Sequence, residues 1–161
     1  MNRFLIDELV SCALDGAEGG SAVDLYAGVG LFSLALARRF RAVTAVERGT
    51  SAAGDLEFNA ARASLTVKIE QVAAEDYLER LEQPPDFVLA DPPRAGLGMT
   101  AVRQLLRLRP SRLAVVACDP ATLARDLKHL TAGGYELHRL TLVDLFPHTY
   151  HIETVADLRL P

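Results

Sequence analysis

Apolar residues recur along the chain in two patterns that alternate from one end to the other. Short continuous runs are typical of buried strands, and apolar positions three or four residues apart are typical of helices. The first helical pattern covers residues 2–15, and Gly16, Gly19 and Gly20 end it. Strands are predicted at 22–26, 42–46, 65–69, 86–90, 112–117, 135–143 and 151–159. Further helices are predicted at 31–39, 50–63, 74–82, 100–108 and 120–130.

This alternation of strands and helices predicts an α/β fold with a doubly wound, Rossmann-like sheet. The strands that are separated by helices are expected to run parallel, whereas the last two are expected to be antiparallel because a short loop joins them. The prediction is a mostly parallel seven-stranded sheet with an antiparallel C-terminal strand. The 161 residues fit one domain, 1–161, with a single core.

Composition narrows the class of protein further. Half of the residues are hydrophobic and 24% are charged, which favours a packed globular domain over disorder. A net charge of −4 disfavours a free-standing nucleic-acid binder, although a local basic patch is compatible with it. The two cysteines, Cys12 and Cys118, form no zinc-type spacing, so neither a metal site nor a disulfide framework is expected. No secretory signal pattern and no apolar run of about 18 residues is found, so a cytoplasmic location without membrane contact is expected.

Polar and glycine-rich segments follow four of the predicted strands. In a doubly wound sheet, ligands bind beyond the carboxyl ends of the strands. The four segments are therefore expected to lie on one rim of the sheet. They are 24–30, Glu47, 91–94 and 118–120.

The first of these segments has the features of a nucleoside-binding turn. Gly28 and Gly30 allow a ligand to approach the backbone closely, and Glu47 can accept hydrogen bonds from ribose hydroxyls. The third glycine of the dinucleotide fingerprint is absent. The spacing therefore favours an adenosyl ligand with an amino-acid tail over a dinucleotide, and a tight turn without a ligand is the alternative.

Three further stretches, together with the glycine segment, resemble the RNA 5-methyluridine (uracil-5-) methyltransferase family, whose members modify tRNA or large-subunit rRNA. The resemblance covers essentially the whole chain from Asn2 onward. It implies the fold of the methyltransferases that depend on S-adenosylmethionine (SAM), with SAM as the cofactor and an RNA uridine as the substrate. The four stretches are DLYAGVGLF at 24–32, DPPRAG at 91–96, CDPATLARDL at 118–127 and DLFPHTYHIETV at 144–155.

The resemblance assigns roles to individual residues. Cys118 matches the nucleophile and Glu153 the general base. Asp91 matches an acidic residue shared by the cofactor and the target base. Cofactor contacts are expected at Asp24, Tyr26, Gly28, Gly30, Leu31, Glu47 and Asp91. Substrate contacts are expected at Asp91, Arg94, Asp119 and Arg125, with ion pairs to Asp91 or Asp126 as the alternative for the two arginines.

The surroundings of Cys118 support a reactive thiol. Pro120, two residues later, suits the first turn of a helix, and a helix N-terminus is expected to lower the thiol pKa. Taken alone, Cys118 could equally be a small core residue and Glu153 an exposed strand residue. His148 and His151 form a metal pair by residue type, but no third ligand is apparent, so hydrogen bonding near the pocket is favoured.

The sequence departs from the family pattern at the nucleophile. Asp119 follows Cys118 where the family usually has Asn; it can cap the helix equally well, but its charge is expected to oppose thiolate formation. The RNA-binding β-barrel and inserted β-rich domain usual in the family are not found, so a separate N-terminal domain or subunit is expected to supply RNA binding. One alternative is a catalytically impaired, SAM-binding interaction module. Another is an amino- or carbon-methyltransferase for a small molecule, in which Arg94 replaces the aromatic of an Asp-Pro-Pro-aromatic loop.

Overall fold

A computed structural model describes residues 5–145, 148–149 and 152–161. Their strands form one seven-stranded sheet in the order β3-β2-β1-β4-β5-β7-β6. The strands are β1 Gly19–Leu25, β2 Phe40–Val46, β3 Lys68–Glu70, β4 Phe87–Ala90, β5 Arg112–Ala117, β6 Glu136–Val143 and β7 Glu153–Arg159. The helices are α1 Ile6–Ala13, α2 Leu31–Leu36, α3 Thr50–Arg62, α4 Ala74–Arg80, α5 Gly98–Leu108 and α6 Pro120–Ala132.

The sheet is parallel except at β7. Strands β1 to β5 pair in parallel with their neighbours, while β7 lies between β5 and β6 and runs antiparallel to both. The predicted α/β sheet with an antiparallel C-terminal strand is therefore confirmed. The insertion of β7 between β5 and β6 is a feature that the periodicity of the sequence did not predict.

Several predicted elements are longer than the observed ones, and in two of them a local hydrogen bond gives the reason. The third strand is predicted at 65–69 but β3 spans Lys68–Glu70, because the residues before it form the C-terminal cap of α3. Ser64 adopts a left-handed backbone conformation, and the Leu65 N–H donates to the Ala60 carbonyl in the manner of a helix C-cap. Helix α2 ends at Leu36, and the Arg39 N–H then donates to the Leu36 carbonyl in a tighter turn.

Apolar side chains pack on both faces of the sheet. One cluster joins the sheet to α4, α5 and α6, and a second joins it to α1 and α2. All residues of β4 and nearly all of β5 are buried, which explains why these strands are continuous apolar runs rather than alternating ones. None of the helices in the described ranges has the length and apolarity that a bilayer span requires.

A buried ion pair fixes β7 against β5 at the end of the sheet far from the predicted site. Arg112 on β5 donates from Nε to Asp157 Oδ1 at 2.8 Å and from Nη2 to Oδ2 at 3.1 Å. Asp157 is almost fully buried and also accepts from Arg159 at 3.0 Å. The paired geometry of Arg112 and Asp157 contributes to the register in which β7 lies beside β5.

Candidate active site

The glycine turn after β1 is held in an unusual backbone conformation. Tyr26, Gly28 and Gly30 all have positive φ angles, of 62°, 55° and 98°. For Tyr26 this conformation is strained, and such strain is typical of functional sites. A Cβ atom on Gly28 would meet no other atom within 4 Å, whereas one on Gly30 would lie 3.1 Å from Leu56. Gly28 therefore borders open space, and Gly30 packs against α3.

A cavity of about 310 Å³ opens beside this turn. Tyr26 and Glu47 line it, as the sequence predicted for a cofactor site. The Glu47 carboxylate is oriented by two backbone groups, accepting from the Gly28 N–H at 2.9 Å and the Gly49 N–H at 2.6 Å. The Tyr26 hydroxyl is buried near Glu75, but makes no hydrogen bond of normal geometry within the described residues.

Seven lining residues were not among the predicted site residues. They are Val46, Arg48, Val72, Ala73, Ala74, Glu75 and Pro93. Most follow β2 or β3, so the rule that ligands bind at carboxyl ends of strands could have found them. A larger groove of about 740 Å³ lies between α3 and β3, but none of the predicted site residues lines it.

Asp24 lies beneath the turn rather than on the cavity surface. Its side chain is fully buried, and Oδ2 accepts a 2.5 Å hydrogen bond from the Ser33 hydroxyl. Oδ1 has no hydrogen-bond partner among the described residues. Burial raises the pKa of Asp24 to about 7, partly offset by the Ser33 hydrogen bond. Asp24 therefore changes between its protonated and its ionised form near neutral pH.

Cys118 and Glu153 lie opposite each other at the other end of the rim. Ala117 on β5 pairs with Thr154 on β7, so the next residues along this ladder are Cys118 and Glu153. Directly opposed residues on antiparallel strands share a face of the sheet. Both side chains are partly exposed, and the carboxylate of Glu153 acts electrostatically on the thiol. The structure thus brings together a sulfur atom and a carboxylate at an accessible position.

The expected lowering of the Cys118 pKa is wrong for the domain without ligands. Burial, followed by the charge of Glu153, raises the pKa of the thiol above its usual value, while Arg94 acts in the opposite direction. Asp119, expected to oppose the thiolate, is not among the groups that shift this pKa. Partial burial and a neighbouring carboxylate both disfavour the thiolate.

Asp119 caps α6, as expected. Its Oδ1 accepts from the backbone N–H groups of Ala121 at 2.9 Å and Thr122 at 3.0 Å. These hydrogen bonds lower the pKa of Asp119. The cap fixes the start of the helix directly after Cys118.

The loop after β4 contains Asp91 and Arg94, which both act electrostatically on Cys118. Asp91 is partly buried, and burial followed by the charge of Glu153 raises its pKa to about 7. Arg94 is exposed and acts on the charges of both Cys118 and Asp119. The ion pair that the sequence allowed for Arg125 is present, at 2.9 Å from Asp126.

Other predicted positions either do not line the cavity or lie outside the described residues. Leu31 is 43% exposed at the start of α2 and is not among the residues that line the cavity. Asn2 and His151 lie outside the described residues. Within the described ranges, no cluster of three or more His, Cys, Asp or Glu side chains could hold a metal ion.

Residues 2–159 match the family model described as tRNA (uracil-5-)-methyltransferase. The chain belongs to this family. Among curated relatives, an uncharacterized RNA methyltransferase of Streptomyces avermitilis is 45% identical over 94% of this chain and 36% of its own length. A similar protein of Aquifex aeolicus is 37% identical over 99% of the chain and 38% of its own length. The chain thus spans about a third of the length of these curated relatives.

Solved structures support the family and the fold. The tRNA (uracil-54, C5)-methyltransferase of Pyrococcus abyssi, in complex with S-adenosyl-L-homocysteine, is 33% identical, with a TM-score of 0.88 over 98% of this chain and 39% of that one. The N-methyltransferase NodS of Bradyrhizobium japonicum is only 14% identical but has a TM-score of 0.79 over 99% of this chain and 87% of that one. The fold is that of the SAM-dependent methyltransferases, and SAM is the cofactor.

Proposed function

We propose that residues 1–161 act as the catalytic domain of an RNA (uracil-5-)-methyltransferase that methylates C5 of a uridine through a covalent adduct with Cys118. The observation that carries this proposal is that Cys118 and Glu153 come directly after the last pair of the β5–β7 ladder, Ala117 and Thr154, and that the Glu153 carboxylate acts electrostatically on the thiol, at the rim that also bears the glycine turn. A thiol and a carboxylate are the two groups that methylation at uracil C5 requires.

The residues around the cavity fit SAM. The open space at Gly28 accommodates a ligand against the backbone, and the Tyr26 hydroxyl offers a buried polar atom that makes no hydrogen bond of normal geometry among the residues the structure describes. The Glu47 carboxylate accepts hydrogen bonds from the Gly28 and Gly49 N–H groups and retains lone pairs that can accept further hydrogen bonds from ribose hydroxyls. Bound SAM supplies an electrophilic methyl group on a sulfonium sulfur.

Cys118 makes uracil nucleophilic at C5. The thiolate adds to C6, and the electrons of the C5–C6 double bond move toward C4 and its oxygen as an enolate. This electron density allows C5 to form a bond to the methyl group; the bond between that methyl group and the sulfonium sulfur would break at the same time, and S-adenosyl-L-homocysteine would be the leaving group. The target base has to leave its stack to reach the thiol, as in other enzymes that act on nucleic-acid bases.

Glu153 completes the reaction as the general base. After methylation, C5 carries both a methyl group and a proton. The carboxylate removes that proton, the C5–C6 double bond forms again, and the C6–S bond breaks to release the Cys118 thiolate. Asp91 interacts electrostatically with both Cys118 and Glu153, and Arg94 interacts with Cys118. These two residues are therefore the best placed to contact the uracil or an adjacent phosphate.

The test uses RNA that contains 5-fluorouridine, because fluorine at C5 cannot be removed as a proton and the adduct persists. The protein is incubated with SAM and a fluorinated tRNA transcript or a large-subunit rRNA transcript, and adducts are resolved on denaturing gels. We expect an adduct with the parent protein and with Cys12→Ala, the matched control at the second cysteine, but not with Cys118→Ala. The two RNA arms identify the substrate class.

Glu153→Gln separates the two catalytic roles. With ordinary uridine RNA, this variant is expected to accumulate a methylated adduct that does not resolve, because the C5 proton stays in place. Adduct formation by Cys118→Ala, or turnover at the parental rate by Glu153→Gln, would contradict the mechanism. SAM binding without an adduct on either RNA would support the alternative, a cofactor-binding module that has lost transfer, for which the raised pKa of Cys118 is the motivating observation.

A further inference from the structure

The loop at 91–97 is tied to α6 by two neighbouring side chains. Asp126, which is 2% exposed, accepts a 2.7 Å hydrogen bond from the Leu97 N–H. Arg125 donates to Asp126 Oδ1 from Nε at 3.1 Å and from Nη2 at 2.9 Å. The same Nη2 donates to the Ala95 carbonyl at 2.7 Å. The end of the loop is therefore held by one buried charge and one guanidinium.

Gly96 lies between the two contacts and makes them possible. Its φ angle is +79°, in the left-handed region that favours glycine. A Cβ atom there would lie 2.4 Å from Asp126 Oδ2 and 2.8 Å from Arg125 Nη2, distances that no side chain can adopt. The Gly96 N–H also donates to the Pro93 carbonyl at 2.8 Å, closing the turn that contains Arg94. We call Gly96, Arg125 and Asp126 the loop clamp.

The loop clamp connects the two parts of the proposed active site. The loop begins with Asp91 and Arg94, and α6 begins at Pro120, two residues after Cys118. We propose that the loop clamp positions Asp91 and Arg94 against Cys118 for methyl transfer, so that Arg125 and Asp126 are positioning residues rather than substrate contacts. This inference rests on the proposed function and refines it, because it gives Arg125 a role other than RNA binding.

Arg125→Gln is the most informative variant because it keeps an amide donor and removes the positive charge. Its partner Asp126 stays buried without a cation, so the free energy of unfolding is expected to fall, and every measurement is made under conditions in which urea unfolding shows the variant to be folded. Lys128→Gln, at an exposed position on the same helix, is the matched control. Arg125→Lys keeps the charge but loses the planar guanidinium that donates from both Nε and Nη2, so an intermediate effect is expected.

Two measurements need no methyl transfer. Hydrogen exchange at the Leu97 amide is expected to become about tenfold faster or more in Arg125→Gln, since its acceptor is no longer held. The pH midpoint for alkylation of Cys118 by iodoacetamide, measured in a Cys12→Ala background, is expected to rise, because a mobile Arg94 favours the thiolate less. The rate of adduct formation with 5-fluorouridine RNA is expected to fall about 10- to 100-fold. Lys128→Gln should match the parent in all three.

The outcomes separate this inference from the proposed function. If the parent protein forms no adduct, the proposed function fails, and exchange and alkylation still decide whether the clamp positions the loop. Parental exchange at Leu97 in Arg125→Gln would overturn the clamp. Faster exchange with a parental alkylation midpoint and adduct rate would show a purely structural contact, and would overturn the positioning role.

Discussion

Replacing Asp24 by Asn is expected to stabilise the domain at alkaline pH and not at acidic pH. Asp24 is fully buried with one hydrogen bond, and its pKa is about 7 in the folded state against an ordinary value of 3.8. The folded state therefore binds more protons than the unfolded state between these values. Stability from this group is present in full at low pH and is lost as the pH rises toward and through 7.

The magnitude follows from the two pKa values. The gap between 3.8 and about 7 corresponds to about 4 kcal/mol, which is the cost of keeping the carboxylate ionised in the core above pH 7. The Asp24→Asn substitution would keep an acceptor for the Ser33 hydroxyl but would place an amide group where Oδ1 now lacks a partner, at a cost of about 1–3 kcal/mol. The net gain at pH 8 is therefore about 1–3 kcal/mol, and at pH 5 it should be near zero or negative.

Urea unfolding of the parent and Asp24→Asn at pH 5, 6, 7 and 8 measures this difference. Asp15→Asn is the matched control, because Asp15 is exposed and its pKa is lowered by a hydrogen bond from Arg139. That variant should lose rather than gain stability at neutral pH, since the ionised form is the favoured one. A stability difference between the parent and Asp24→Asn that does not change with pH would refute the reasoning.

Three other predictions concern the thiol, the cap and the buried ion pair. In a Cys12→Ala background, Glu153→Gln is expected to lower the pKa of Cys118 and speed its alkylation by iodoacetamide at pH 8; slower alkylation would contradict this. Asp119→Ala is expected to lower the free energy of unfolding by about 1 kcal/mol through loss of the helix cap, measured in urea. Arg112→Ala is expected to lower it by about 3 kcal/mol, because its carboxylate partner stays buried; a change below about 1 kcal/mol would be inconsistent with a structural role.

The layers of the fold could be predicted from the sequence because apolar periodicity reports which face of each element is buried. Strands such as β4 and β5 are continuous apolar runs, and Pro120 and Asp119 mark the start of α6. The strand order could not be predicted in the same way. Periodicity shows that β7 is a strand and that it pairs with β6, but not that it also pairs with β5, which depends on long-range packing.

The same distinction between local sequence pattern and long-range packing applies to the candidate site. Cys118 and Glu153 were proposed from a family resemblance, and the β5–β7 pairing supplies a physical reason for their proximity. The contact between Asp126 and Leu97 spans 29 residues and leaves no local pattern, so it could be found only from the structure. The predicted direction of the Cys118 pKa shift was wrong because the argument from the helix N-terminus left out the partial burial of the thiol and the charge of Glu153.

The β5–β7 ladder makes strand alignment a condition for the proposed catalysis. Side chains alternate between the two faces of a sheet, so a slip of one residue in β7 would turn Glu153 away from Cys118 and bring Thr154 beside it. The bulge between Leu137 and Arg139 lies in the β6–β7 pairing, while the pairing from Arg112 to Ala117 continues without interruption. Insertions in the segment that precedes β7 are therefore compatible with a working thiol–carboxylate pair only when the loop absorbs them and the ladder stays in phase.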